Sequence, residues 1–144
     1  MIAEEIETDL LERAKSEEKA YNWVEAANLY KSIIKLYLDN ELIKKAAETY
    51  KRLGYVYSRA AETAEIAEEY LERYKNCVNA YKDAAKNYKQ NGNRAEELEC
   101  MAEALYFNGF IGYSHVEVRD FFSKSYDLFI KSSEIYSKED DQEG

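Results

Sequence analysis

A chain of 144 residues with no proline and only five glycines has few places to reverse direction. β-Sandwiches and barrels turn every few residues and lean on Gly and Pro to do it, whereas long helices need only occasional breaks. Apolar residues also recur at helical spacing along nearly the whole chain, which predicts an all-α protein. The length suits one domain, and a chain of this size typically buries about 68–70% of its unfolded surface. With 46% apolar and 34% charged residues, the composition is that of a folded chain.

The breaks divide the chain into about six helices. The first covers roughly residues 2–20, with Ile6, Leu10, Ala14 and Ala20 along one side. Asn22-Trp23-Val24-Glu25 reads as an Asn cap with an acid at N3, opening a second helix to about Leu38. Its inward residues are Ala26, Ala27, Tyr30, Ile33, Ile34 and Tyr37. After Asp39-Asn40 a third helix runs from Glu41 to about Ala60. A fourth starts near Glu62 and ends at Asn91-Gly92-Asn93, with a seam of Tyr70, Tyr74, Cys77, Tyr81, Ala84, Ala85 and Tyr88. No turn signal lies between Gly54 and Gly92, so this stretch also reads as one bent helix or three short ones.

Asn93-Arg94-Ala95-Glu96 is a second Asn cap, and the fifth helix runs from it to about Phe107. Ser114-His115-Val116-Glu117 is a Ser-type capping box. It opens a sixth helix to about Ser137 that is expected to bury Val118, Phe121, Phe122, Tyr126, Phe129 and Ile130. Residues 1–137 then form the domain, and 138–144 a charged, disordered tail. Six helices with short turns make three antiparallel hairpins, and breaks near residues 39 and 91 suggest a repeat of roughly 40–50 residues.

Two stretches carry a family likeness. Tyr50, Leu53, Gly54 and Tyr57, in TYKRLGYVY, resemble the first-helix half of the tetratricopeptide (TPR) signature. Trp23, Ala26, Tyr30 and Ile33, in WVEAANLYKSI, resemble its second-helix half. Gly54 and Ala26 fall where the helices of a hairpin would cross closely. The proline that often ends a TPR repeat is missing, and the alanine expected after Tyr57 is out of register. The longer, drifting repeats, with runs such as AYKDAAKNYKQNGNRAEE, resemble the soluble NSF-attachment protein (SNAP) branch over roughly residues 10–110. The first two helices also resemble an MIT domain, a three-helix bundle that binds short helical peptides of membrane-remodelling filaments. These resemblances imply hairpins stacked as a right-handed solenoid, a groove that binds a protein or peptide, and no cofactor.

Charge narrows the partner. The formal net charge is −9, whereas nucleic-acid binding needs Lys and Arg to displace phosphate counterions. Anionic membranes would repel the chain for the same reason. No apolar run reaches 18 residues, so membrane insertion is not expected. The acidic start MIAEEIETDLLERAK does not resemble a secretory signal, and the two cysteines, Cys77 and Cys100, make no disulfide framework. A cytoplasmic protein is expected.

Catalysis finds little material. The single histidine, His115, lies in a capping box beside Ser114 with no nucleophile–base–orienter set. One histidine and two cysteines are too few for zinc or a di-iron centre. Gly109 and Gly112, in GFIG, follow no strand and make no phosphate loop. Cys77 reads as core, and Glu62, Glu65, Glu68, Glu69 and Glu72 as a solvated face. The fourteen tyrosines mostly occupy inward positions, where they pack as core with hydroxyls at the rim.

The expectation is an adaptor or scaffold that is not an enzyme and needs no cofactor. In TPR arrays the first helix of each hairpin lines the groove. That register places Lys51, Tyr55 and Arg59 on the groove side of the third helix, at i, i+4 and i+8, and Lys15 and Lys19 on that of the first. Such a basic stripe would receive an acidic or carboxylate-ended peptide. The competing expectation is that these charges are solvated and paired with acids such as Glu48 and Glu62. A second possibility is self-association into a homodimer through the apolar cluster Phe107, Phe110, Ile111, Phe121 and Phe122, because an open array needs a cap.

Overall fold

The computed structural model describes residues 2–112 and 114–143, with side chains placed from residue 4 to residue 141 of that span. Six α-helices account for most of it: α1 (Ile2–Lys19), α2 (Trp23–Asp39), α3 (Ile43–Glu62), α4 (Ala67–Gln90), α5 (Arg94–Asn108) and α6 (His115–Glu143). A 3₁₀ turn, Gly109–Ile111, follows α5. No strand occurs among the described residues. Packing joins consecutive helices, α1 with α2, α2 with α3, and so on to α5 with α6.

Three of the five connections are one structure repeated. The turns after α1, α2 and α4 each place a residue in the left-handed region: Tyr21 (φ 61°), Glu41 (φ 57°) and Gly92 (φ 82°). The following amides of Asn22, Leu42 and Asn93 donate back to the carbonyls of Glu17, Tyr37 and Tyr88, each at 2.9 Å. This six-residue closure satisfies carbonyls that a helix end leaves orphaned. Only Gly92 adopts the conformation without steric cost; a side chain there pays about 1–2 kcal/mol.

The expected Asn caps are a correction. Neither Asn22 nor Asn93 caps its helix through the side chain. Their ψ angles, 70° and 81°, fall short of the extended region from which a cap side chain reaches the first turn. The Asn22 amide instead donates to the Glu17 carboxylate (2.8 Å), and Asn93 accepts from Asn91 (2.7 Å). Ser114 does cap: its Oγ accepts from the Glu117 amide at 3.2 Å.

The α3–α4 break falls at residues 63–66, where the sequence offers neither glycine nor proline. Ile66 is extended (φ −127°, ψ 154°), and the loose end of α3 is tied from a distance. Arg73, a turn and a half into α4, donates to the Ala60 carbonyl at 2.8 Å. At the other end of the chain, α6 continues through residues 138–143, where a disordered tail is expected; Gly144 lies outside the described residues.

The core runs through α1 to α5. All six inward residues expected of α2 are buried, as are Tyr74, Cys77, Tyr81, Ala84, Ala85 and Tyr88 of α4. Gly54 marks a close approach of α3 to α4: a Cβ there would lie 2.6 Å from the Tyr81 ring. α6 is the exception to the expected burial. Phe122, Tyr126 and Ile130 are exposed, and Val118, Phe121 and Phe129 are only half-buried. The helix buries its serines instead. Ser125 and Ser132 donate to the carbonyls of Ala102 (2.7 Å) and Ala95 (2.8 Å) on α5. Small hydroxyl residues let α6 lie close to α5, and the bulky residues are turned aside. Of the residues expected along one side of the first helix, Ile6 and Ala20 are likewise exposed, Leu10 is half-buried and Ala14 is buried.

Candidate functional site

α1 and α3 are clamped together above the tyrosines of α2. Glu18 on α1 is buried; it accepts hydrogen bonds from the Tyr30 hydroxyl and from Arg52 through both Nε (3.1 Å) and Nη2. Nearer the start of α1, Glu7 accepts from Tyr37 (2.7 Å) and pairs with Lys45 (3.4 Å). Burial, then the Glu18 carboxylate, push the Tyr30 phenol up to about 12. The Tyr37 hydrogen bond holds Glu7 below the usual carboxylate range. A shallow groove of about 340 Å³ remains between α1 and α3, lined by Leu11, Lys15, Glu48 and Thr49 beside the clamp residues.

The anticipated basic stripe is not assembled as one surface. Lys51 turns toward α5 and donates to Glu99 at 2.7 Å. Burial works against its charge, but Glu99 more than offsets this, so its pKa is raised. Glu99 also accepts from Tyr136 of α6 at 3.0 Å. Arg59 pairs with Glu62 (2.8 Å) and lies over the Trp23 ring at 5.5 Å. Tyr55 meets Trp23 edge to face at 6.3 Å and carries the Arg52 guanidinium on its ring at 4.5 Å. Lys15 lines the α1–α3 groove, and Lys19 is exposed at the end of α1. Of the five stripe residues, Tyr55 and Arg59 are therefore brought together, around Trp23. Arg52, which the sequence does not single out, joins them.

The larger opening lies on the other side of α3. A groove of about 410 Å³ runs between α2 and α4, floored by α3. Ile34, Leu38, Leu53 and Ala80 supply its apolar surface, and Tyr50 and Tyr57 of α3 sit along the floor. The α2 wall carries Lys31, Lys35 and Asp39; the α4 wall carries Asn76, Asn79 and Asp83. Helical spacing puts each wall's polar residues in a row, at i, i+4 and i+8 on α2 and at i, i+3 and i+7 on α4. Lys35 pairs with Asp39 at 3.0 Å, and the Lys31 ammonium lies 5.8 Å from the Tyr57 ring centre. Desolvation raises the Asp83 carboxyl; burial and then the Asp83 charge raise the Tyr50 phenol.

The aromatic residues anticipated for self-association form one continuous cluster with α4. Phe110 stacks on Tyr74 (5.2 Å, 7°) and Phe107 on Tyr81 (5.7 Å, 8°). Tyr106 and Phe122 close over Phe110 from the outside. Phe110 and Phe122 stay partly exposed, and Phe107, Ile111 and Phe121 are half-buried. Gly109 makes room, since a Cβ there would come within 2.6 Å of the Phe122 ring.

The fold is all-helical, and the two grooves described above each lie between alternate helices. Comparison with known protein families, with curated proteins and with solved structures finds no match. Among the described residues, no cluster of His, Cys, Asp or Glu is placed to hold a metal ion, and no helix is long and apolar enough to cross a membrane. Both cysteines are buried and unpaired, and burial pushes the Cys100 thiol up to about 12. A thiol that resists ionisation is a poor nucleophile. The groove between α2 and α4 had a faint signal in the sequence: Asn76, Asn79 and Asp83 interrupt the lysines Lys75, Lys82, Lys86 and Lys89 along α4.

Proposed function

We propose that this protein is a binding scaffold of the cytoplasm that receives a peptide segment of a partner protein in the groove between α2 and α4. The observation that carries this reading is the groove itself, with an apolar floor and two rows of polar side chains. Binding sites for protein segments have this composition, a few apolar anchors framed by groups that fix orientation. The likeness of the α2 and α3 sequences to TPR-type repeats, and the packing of consecutive helices, support the same reading. The two unpaired buried thiols support a reducing compartment.

The test is selection of peptides from a displayed random library on the whole protein. Enriched peptides should lose binding to Asn79→Arg and Leu38→Glu, which alter exposed groove walls, and keep it with Tyr126→Gln on α6. Peptides that ignore the groove variants would remove the reading. A second reading, self-association through α6, is favoured by the exposed Phe122, Tyr126 and Ile130. Sedimentation of the protein and of Ile130→Glu decides it: a dimer that the substitution dissociates supports α6 pairing, and a monomer excludes it.

A further inference from the structure

The α2–α4 groove is electrically polarised along its length. Tyr57 lies beside Lys31 at one end, and Tyr50 and Asp83 both line the groove toward the other. These two tyrosines are seven residues apart on α3, a rise of about 10 Å. Lys35 and Asp39 pair across 3.0 Å on the α2 wall, so Lys31 at one end and Asp83 at the other are the lining charges outside that pair, with Lys86 acting on Asp83 from outside the lining. Among the described residues, neither makes an ion pair within 4 Å.

The floor offers little apolar surface. Leu53 and Ala80 at its base are only 4% and 3% exposed, so a helix about 10 Å across would bury little against them, whereas a single inserted side chain needs no more. The carboxamides of Asn76 and Asn79 make no hydrogen bond within the described residues, and each offers a donor and an acceptor. A peptide bond in an extended chain presents the same pair of groups in return.

Resting on the scaffold reading above, we propose that the groove recognises an extended segment carrying one basic and one acidic side chain on either side of an apolar one. The basic side chain meets Asp83, the acidic one meets Lys31, and the apolar one enters between Leu38 and Leu53. Side chains of an extended chain return to the same face every second residue, with a rise of about 3.3 Å each. A basic–x–apolar–x–acidic pattern therefore points all three at the floor and spans about 13 Å between its charges, enough to match the groove when the long Lys31 side chain leans inward.

Fluorescence anisotropy with three end-capped, labelled probes tests this: Lys-Thr-Leu-Thr-Glu, Lys-Thr-Leu-Thr-Lys and Glu-Thr-Leu-Thr-Glu. The whole protein should bind the mixed-charge probe at least five-fold tighter than either other. Asp83→Lys should move the preference to the doubly acidic probe, and Lys31→Glu to the doubly basic one. Both positions are exposed on helix surfaces, so the variants should keep the helical circular dichroism of the parent. Equal affinity for all three probes, or a ranking that neither substitution moves, overturns the charge pattern. If Asn79→Arg still abolishes binding in that case, the scaffold reading survives alone. No binding of any probe, together with no groove-dependent peptide from the library, overturns both.

Discussion

The α1–α3 region and the α5–α6 region solve the same problem, fastening helices, by opposite means. α1 is held by carboxylates, the buried Glu18 gripped by Tyr30 and Arg52, and the half-buried Glu7 by Tyr37 and Lys45. α6 is held by neutral hydroxyls, Ser125 and Ser132 on α5 carbonyls, with Tyr136 on Glu99. A buried carboxylate demands its partners, because removing them leaves a charge without solvent. A serine on a carbonyl that already serves its own helix demands much less. The carboxylate clamp therefore specifies where α1 must sit. The serine contacts permit closeness but leave the large residues of α6 facing outward.

Three measurements on these contacts sharpen or break that contrast. Glu18→Ala should cost the most, about 2–3 kcal/mol in urea unfolding at unchanged slope, because Tyr30 and Arg52 lose their shared acceptor. A cost under half of that would mean the clamp is ornamental. The clamp also predicts an alkaline weakness. The Tyr30 phenol is raised in the folded state from 10 to about 12, so its contribution is complete below pH 10 and is lost as pH climbs toward 12. Melting temperature followed from pH 9 to pH 12 should fall over that window, and less steeply in Tyr30→Phe. Ser132→Ala, the matching deletion on α6, should cost only about 1 kcal/mol.

The repeated turns come next. Gly92→Ala forces a side chain into the left-handed region and should cost about 1 kcal/mol, whereas Tyr21→Gly relieves the same strain and should stabilise by about half that after the added chain entropy. Opposite signs in thermal unfolding are the signature; like signs would show that side-chain contacts rather than backbone set these turns. Smallest of all, Tyr126→Gln on the outward face of α6 should leave stability within about 0.5 kcal/mol. A larger loss would reveal that α6 is buried against another surface in solution.

The helices were legible because burial follows periodicity, and α2 and α4 have one apolar face each. The α6 stripe was misjudged for a related reason. Its aromatics are periodic, but a terminal helix has one neighbour, and the serines beside them win that contact because they allow closer approach. The break before α4 left no trace because its stabilising partner, Arg73, lies 13 residues beyond the carbonyl it caps. The residues of the expected basic stripe are divided among separate neighbours on the same ground. Lys51 finds Glu99, 48 residues away, and Glu18 takes Arg52, 34 residues away, and no local pattern announces either pairing. The helical register of Tyr55 and Arg59 was sound; what the sequence withheld was the neighbour that each would meet.

The three matching turns have a consequence for how this surface can change. Their closure is made by main-chain atoms, so at Tyr21 and Glu41, where the corner already carries a side chain, exchanging one side chain for another adds little to the backbone cost. New side chains can be tried at these two corners at little risk to the helices on either side, which makes them natural sites for evolution, or an engineer, to rewrite what the molecule displays.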